Sequence, residues 1–141
     1  MDKTFVPKGQ IEHDWVLVDA KEQPLGRLAS QIVMALLGKN KPTYTPGVDT
    51  GSFVVVVNAG EIKISTTRMS EKNYYSHSGY PGGLKTTSIK TQLKVHPDRV
   101  IRAAVWGMLP HNKLGRRIIK KLKIYGGGEH PHIAQNPQAL A

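Results

Sequence analysis

Six histidines and ten carboxylates supply the groups for acid–base or metal chemistry, and their spacing decides whether the chain uses them. The densest group is Glu129-His130-Pro131-His132. Two histidines separated by one proline can ligate a metal from a loop. No Asp or Glu pattern completes such a site, and His111, the nearest further ligand, lies among basic residues that repel a cation. Asp14 and Asp19 flank an apolar run and read as turn and cap residues. The chain has no cysteine, which excludes a disulfide scaffold, a thiolate zinc site and a cysteine nucleophile. Neither a phosphate-binding loop nor a GxSxG nucleophile elbow occurs. Leu25-Gly26-Arg27-Leu28 stands where a nucleotide-binding fold carries its glycine-rich turn, but it has one glycine only. These residues assemble no nucleophile, base and orienting group. The reading is therefore no catalytic residue, no metal, no cofactor and no small-molecule substrate.

Phosphate chemistry is a different matter. Twenty Lys and Arg oppose ten Asp and Glu, a net charge of +10. A compact chain this basic repels itself unless a polyanion is near, and nucleic acid or an anionic membrane surface is the usual partner. The charge is clustered. Between Pro110 and Tyr125 lie Lys113, Arg116, Arg117, Lys120, Lys121 and Lys123 with no acidic residue. An ordinary solvated helix face mixes signs, because like charges three and four apart repel. Single-sign charge favours a phosphate-binding face, here Lys113, Arg116, Arg117, Lys120 and Lys121.

A second zone holds Lys63, Arg68, Lys72, Lys85, Lys90 and Lys94 against Glu71 alone, interleaved with Tyr74, Tyr75, His77 and Tyr80. Rings and cations together stack on unpaired bases and hold phosphates, although core packing accounts equally well for any one tyrosine. A third cluster, Gly38-Lys39-Asn40-Lys41-Pro42-Thr43-Tyr44, follows an apolar helical stripe directly. Its lysines are also explained by the negative end of that helix.

The elements that must position these groups are legible from periodicity. Trp15-Val16-Leu17-Val18-Asp19 reads as a strand. Leu25, Leu28, Ala29, Ile32, Val33, Leu36 and Leu37 recur at helical steps, and Gly38 closes that helix. Phe53 to Val57 is apolar at every position, as in a strand covered on both faces. Strand, helix and buried strand make a βαβ unit with a parallel sheet. Asn73-Tyr74-Tyr75-Ser76 is a weaker strand, and Ser76 to Lys85 reads as a Gly/Pro-rich loop. Helix resumes near Ser88 and breaks at His96-Pro97-Asp98. A second stripe then runs from Val100 to Leu109 until Pro110 stops it. Leu114, Ile118, Ile119 and Leu122 mark a third, short helix, and Leu122 to Tyr125 a last strand. The architecture expected is one α/β domain over 15–125, a small, mostly parallel sheet flanked by helices. An N-terminal arm (1–14) and an irregular C-terminal tail (126–141) are the extended segments.

The N-terminus lacks the apolar core of a signal peptide, and no apolar run approaches the roughly 20 residues that span a bilayer. The expectation is a cytoplasmic protein that does not engage membranes.

Read in order, the motifs resemble the L-thirteen family of bacterial large-subunit ribosomal proteins. They are Asp14-Trp15 with Val18-Asp19-Ala20, Leu25-Gly26-Arg27-Leu28-Ala29, and Gly38-Lys39-Asn40-Lys41 leading to Tyr44-Thr45-Pro46 and Asp49-Thr50-Gly51. Val57-Asn58-Ala59, His77-Ser78-Gly79 and Pro81-Gly82-Gly83-Leu84-Lys85 follow. The most specific are Gly107-Met108-Leu109-Pro110, Leu114-Gly115-Arg116-Arg117 and Leu122-Lys123-Ile124-Tyr125. The chain departs from the family pattern at Ser65-Thr66-Thr67-Arg68, Arg102 and Trp106.

The resemblance implies a three-layer α/β/α fold with a four-stranded parallel sheet and no catalysis. It also implies binding to large-subunit ribosomal RNA, contacts with neighbouring ribosomal proteins and a role early in subunit assembly. Organellar ribosomes carry the family too. Carried over by motif, the RNA-facing positions are Lys39, Lys41, Tyr44, His77, Gly79, Gly82, Gly83, Lys85, Lys113, Arg116, Arg117 and Lys120. An enzyme acting on nucleotides through the βαβ unit, and a regulatory RNA-binding role outside the ribosome, are the alternatives.

Overall fold

A computed structural model describes residues 11–140; most of the expected N-terminal arm lies outside the described residues. Strand β1 (Trp15–Asp19) leads into helix α1 (Leu25–Leu37) and then β2 (Phe53–Val57). The two strands pair parallel, Trp15 opposite Phe53 through Asp19 opposite Val57, so the βαβ unit is present. Helix α1 ends as its sequence requires. Gly38 sits at φ 74° and donates to the carbonyl of Ala35, while Lys39 donates to that of Met34. This is the Schellman arrangement, and it needs a residue that tolerates the left-handed region.

The remaining elements are α2 (Thr66–Glu71), β3 (Asn73–His77), β4 (Leu84–Ser88), α3 (Ile89–Val95), α4 (Pro97–Met108), α5 (Lys113–Ile118), β5 (Leu122–Ile124) and β6 (Gln138–Ala139). Pro97 occupies the first turn of α4, where its missing N–H costs nothing. Among the described residues the main sheet runs β5-β2-β1-β6, with all four strands parallel. The fold is the expected α/β class.

Two elements differ from the sequence reading. Ser76 to Lys85 is not loop throughout. Strands β3 and β4 form an antiparallel hairpin with His77 opposite Leu84, which confines the loop to residues 78–83. The tail is not wholly irregular either. Gln138 and Ala139 pair with Val16 and Leu17 and supply the fourth strand.

The main hydrophobic cluster lies on one face of the sheet, while Val55 and Val57 are buried on the other. Val18, Val54, Val56 and Leu122 pack with Leu28, Ile32 and Leu36 of α1, Ile101 and Val105 of α4, and Ile118 of α5. Because side chains alternate along a strand, Trp15 and Phe53 point to the other face. There their rings stack 4.6 Å apart at 9°. The chain beyond β5 crosses this face to reach β6. Tyr125 Oη lies 2.8 Å from His132 Nε2, and the His132 ring is 5.0 Å from that of Trp15. The densest histidine cluster is thereby engaged in anchoring the tail. Among the described residues no group of three potential metal ligands occurs, and no helix is long and apolar enough to cross a membrane.

Candidate nucleic-acid interface

Helix α5 presents the first basic zone because of how it is held. Asn112 caps it, its side-chain oxygen accepting from the Gly115 N–H at 2.8 Å. A Cβ on Gly115 would lie 1.9 Å from the Pro110 carbonyl oxygen, so only glycine permits so tight a return after α4. Ile118 and Leu122 are then buried, with Leu114 and Ile119 packed beside them. Lys113, Arg116, Arg117 and Lys120 remain exposed. Among the described residues none of the four forms an ion pair.

Lys121 does not belong with them. It is only 6% exposed, and its ammonium pairs with Asp49 and donates to the Gly51 carbonyl at 3.0 Å. Burial pushes its pKa down, and the hydrogen bond it donates to Asp49 opposes that shift. Ile119–Lys121 is a 3-10 turn, in which residues three apart eclipse, so Lys121 follows buried Ile118 inward. Its role is to tie the approach to β5 to the segment entering β2. Lys121→Met removes the cation paired with Asp49 and one of the two groups bonded to the Gly51 oxygen, the other being His13 Nδ1. It should lower unfolding free energy by about 2–4 kcal/mol in urea titrations. If the stability is unchanged, the pair is not a structural tie.

The hairpin carries the second zone. His77, Gly79, Gly82 and Lys85 are exposed and Gly83 is half-buried, around the turn that joins the two strands. His77 Nδ1 accepts from the Gly79 N–H at 2.9 Å, so the exposed ring organises the loop. Tyr75 and Tyr80 stand out into solvent. Tyr74 points the other way. Its hydroxyl is buried, burial raises its pKa, and the Lys72 ammonium sits 5.4 Å from its ring centre. The three tyrosines that the sequence interleaves with charge therefore divide, two outward and one inward.

In the third cluster Lys39 and Tyr44 are exposed, but Lys41 is half-buried and bonded to Asp14 at 2.6 Å. That hydrogen bond and the lysine charge hold the Asp14 carboxyl below its usual range. Lys41 is thus neutralised within the chain, through a pair exposed enough to be exchanged for a phosphate.

Helix α4 contributes residues that the sequence reading did not assign. Arg99 and Ala103 line a groove under the hairpin together with Tyr74 and Tyr75. The same two residues line a second groove toward α5, with Arg102, Trp106, Arg116 and Ile119. The hairpin surface and the α5 surface thus meet across α4. The signal was present: Arg99, Arg102 and Trp106 recur at helical steps opposite the stripe of Val100, Ile101 and Val105.

The profile of the family "Ribosomal protein L13" matches residues 13–131. Among relatives named "Large ribosomal subunit protein uL13", that of Chlorobium phaeobacteroides strain BS1 is 54% identical over 136 residues, covering 96% of this chain and 91% of the relative. That of Pelobacter propionicus is 56% identical over 140 residues and covers 99% of each chain. That of Prochlorococcus marinus strain MIT 9312 is 55% identical over 141 residues, again covering 99% of each.

Proposed function

The chain belongs to the ribosomal protein L13 family, and from that premise we propose that its basic surface binds large-subunit ribosomal RNA as a scaffold. It is a structural constituent of the large ribosomal subunit, with that RNA and neighbouring ribosomal proteins as its partners, and it is not an enzyme. The observation that carries the RNA-binding surface is the α5 face, where Lys113, Arg116, Arg117 and Lys120 are exposed together with no acidic partner among the described residues. Cations held on a folded frame replace the counterions of several phosphates at once. The released ions favour binding, and RNA segments that repel each other can then approach, which is what early assembly requires. The hairpin group (His77, Gly79, Gly82, Gly83, Lys85) and Lys39, Lys41 and Tyr44 extend the contact surface.

A filter-binding titration against large-subunit RNA tests this reading. With roughly six to ten phosphate contacts, the slope of log affinity on log salt should lie between about −4 and −7. A slope near zero would remove the electrostatic basis of the proposal.

A further inference from the structure

The groove between α4 and α5 has a volume of about 400 Å³ and is lined by Arg99, Arg102, Ala103, Trp106, Arg116 and Ile119. Its surface is almost wholly carbon, and the three arginines that contribute to it are exposed residues. Among the described residues no acidic side chain lines it and none of these arginines forms an ion pair. The Trp106 indole is half-buried, braced edge-on by the His111 ring at 4.8 Å and packed against the core. An indole in an open apolar groove lined by three exposed arginines has the chemistry of a base platform. The flat ring takes the π-face of a base, and the guanidinium groups take the phosphates on either side. The volume suits a nucleoside-sized group, since small-ligand pockets run from roughly 300 to 1,000 Å³.

We propose that this groove takes one unstacked base of a single-stranded RNA segment, laid against Trp106 and held at its flanking phosphates by Arg99, Arg102 and Arg116. The proposal rests on the RNA-binding reading above and adds a site for a single nucleotide to it. An apolar peptide side chain would fill the slot but leave three guanidinium groups without partners. An acidic peptide would pair the arginines but make no use of the aromatic wall. Continuity also favours RNA, because Arg116 belongs to the α5 face and Arg99 also lines the groove under the hairpin. One strand could therefore run from Tyr75 past Arg99 to Trp106.

The chain has two tryptophans, so a Trp15→Phe background leaves Trp106 as the sole indole emitter. A short purine-rich single-stranded RNA should quench its fluorescence, whereas inorganic polyphosphate should bind without quenching. In the full chain, Trp106→Ala should weaken binding of that RNA about tenfold or more, with Trp106→Phe keeping most of the affinity. The salt slope should be unchanged in Trp106→Ala, because a base contact is lost, whereas Arg102→Gln should make the slope shallower by about 0.7. Quenching by an oligoglutamate peptide and not by the RNA would overturn the proposal in favour of an acidic protein segment. Steeply salt-dependent RNA binding that leaves Trp106 emission unchanged would overturn the groove alone. Absence of salt-dependent RNA binding would overturn the wider reading with it.

Discussion

Replacing Lys113, Arg116, Arg117 and Lys120 together by Gln is expected to lower affinity for large-subunit RNA by two to three orders of magnitude at about 0.1 M salt, with the fold intact. Each lost phosphate contact removes about 0.7 from the salt slope, so four make it shallower by about 3. Extrapolated from about 1 M salt, where ion release contributes little, that change amounts to the stated loss at 0.1 M. The fold should survive because all four side chains are exposed and free of ion pairs among the described residues. Removing like charges three and four apart relieves repulsion on a short helix by a few tenths of a kcal/mol per pair. Lys121 has to stay out of this set. Including it would confound lost RNA contact with the loss of its pair with Asp49. The readouts are a salt series of binding isotherms, and sedimentation to ask whether the variant enters the large subunit. Normal affinity and normal incorporation would mean that the phosphate-binding face is elsewhere.

Lys121 also shows where sequence reasoning stops. Its charge and neighbours are those of Lys120, and only the 3-10 turn and Asp49, far away in sequence, turn it inward. Periodicity carries no information about such a partner. The features that periodicity does carry were legible. The α1 stripe from Leu28 to Leu36 is buried as spaced, and Val54 to Val57 are buried at every position, as a strand covered on both faces should be. Strand β4 was not legible because its partner is β3 rather than the core. Leu84 stays 60% exposed, so no apolar alternation marks the strand. Strand β6 has two residues, too few for any period, and is defined by its pairing with β1. The α4 arginines were legible as the complement of a core stripe. Seeing them requires asking what a helix shows to solvent as well as what it buries.

Gly51→Ala should be the most damaging small substitution in the chain, costing about 3 kcal/mol or more and lowering the melting midpoint by about 10 °C. A Cβ at this position would lie 1.7 Å from the Leu36 carbonyl oxygen and 2.4 Å from its carbon. Both are backbone atoms in the last turn of α1, so no side-chain rotation can make room. The loop backbone lies against the helix end at this point, with Ser52 donating to the Ala35 carbonyl at 3.0 Å just before β2 begins. The Gly51 carbonyl also accepts from Lys121 and lies 2.6 Å from His13 Nδ1. Any shift that admits a methyl group therefore disturbs the exit of α1, the entry to β2 and the approach to β5 together. Gly26→Ala is the control, because among the described residues nothing beyond its chain neighbours and its own helix backbone lies within 4 Å of a Cβ there, and a helical alanine should be neutral or stabilising by up to about 1 kcal/mol. Since Gly51 and Lys121 share a hydrogen bond, Gly51→Ala combined with Lys121→Met should destabilise by less than the sum of the single changes. Strict additivity in urea titrations would show that the backbone contact with α1 and the Lys121 tie act independently, and the account of Gly51 as their junction would be wrong.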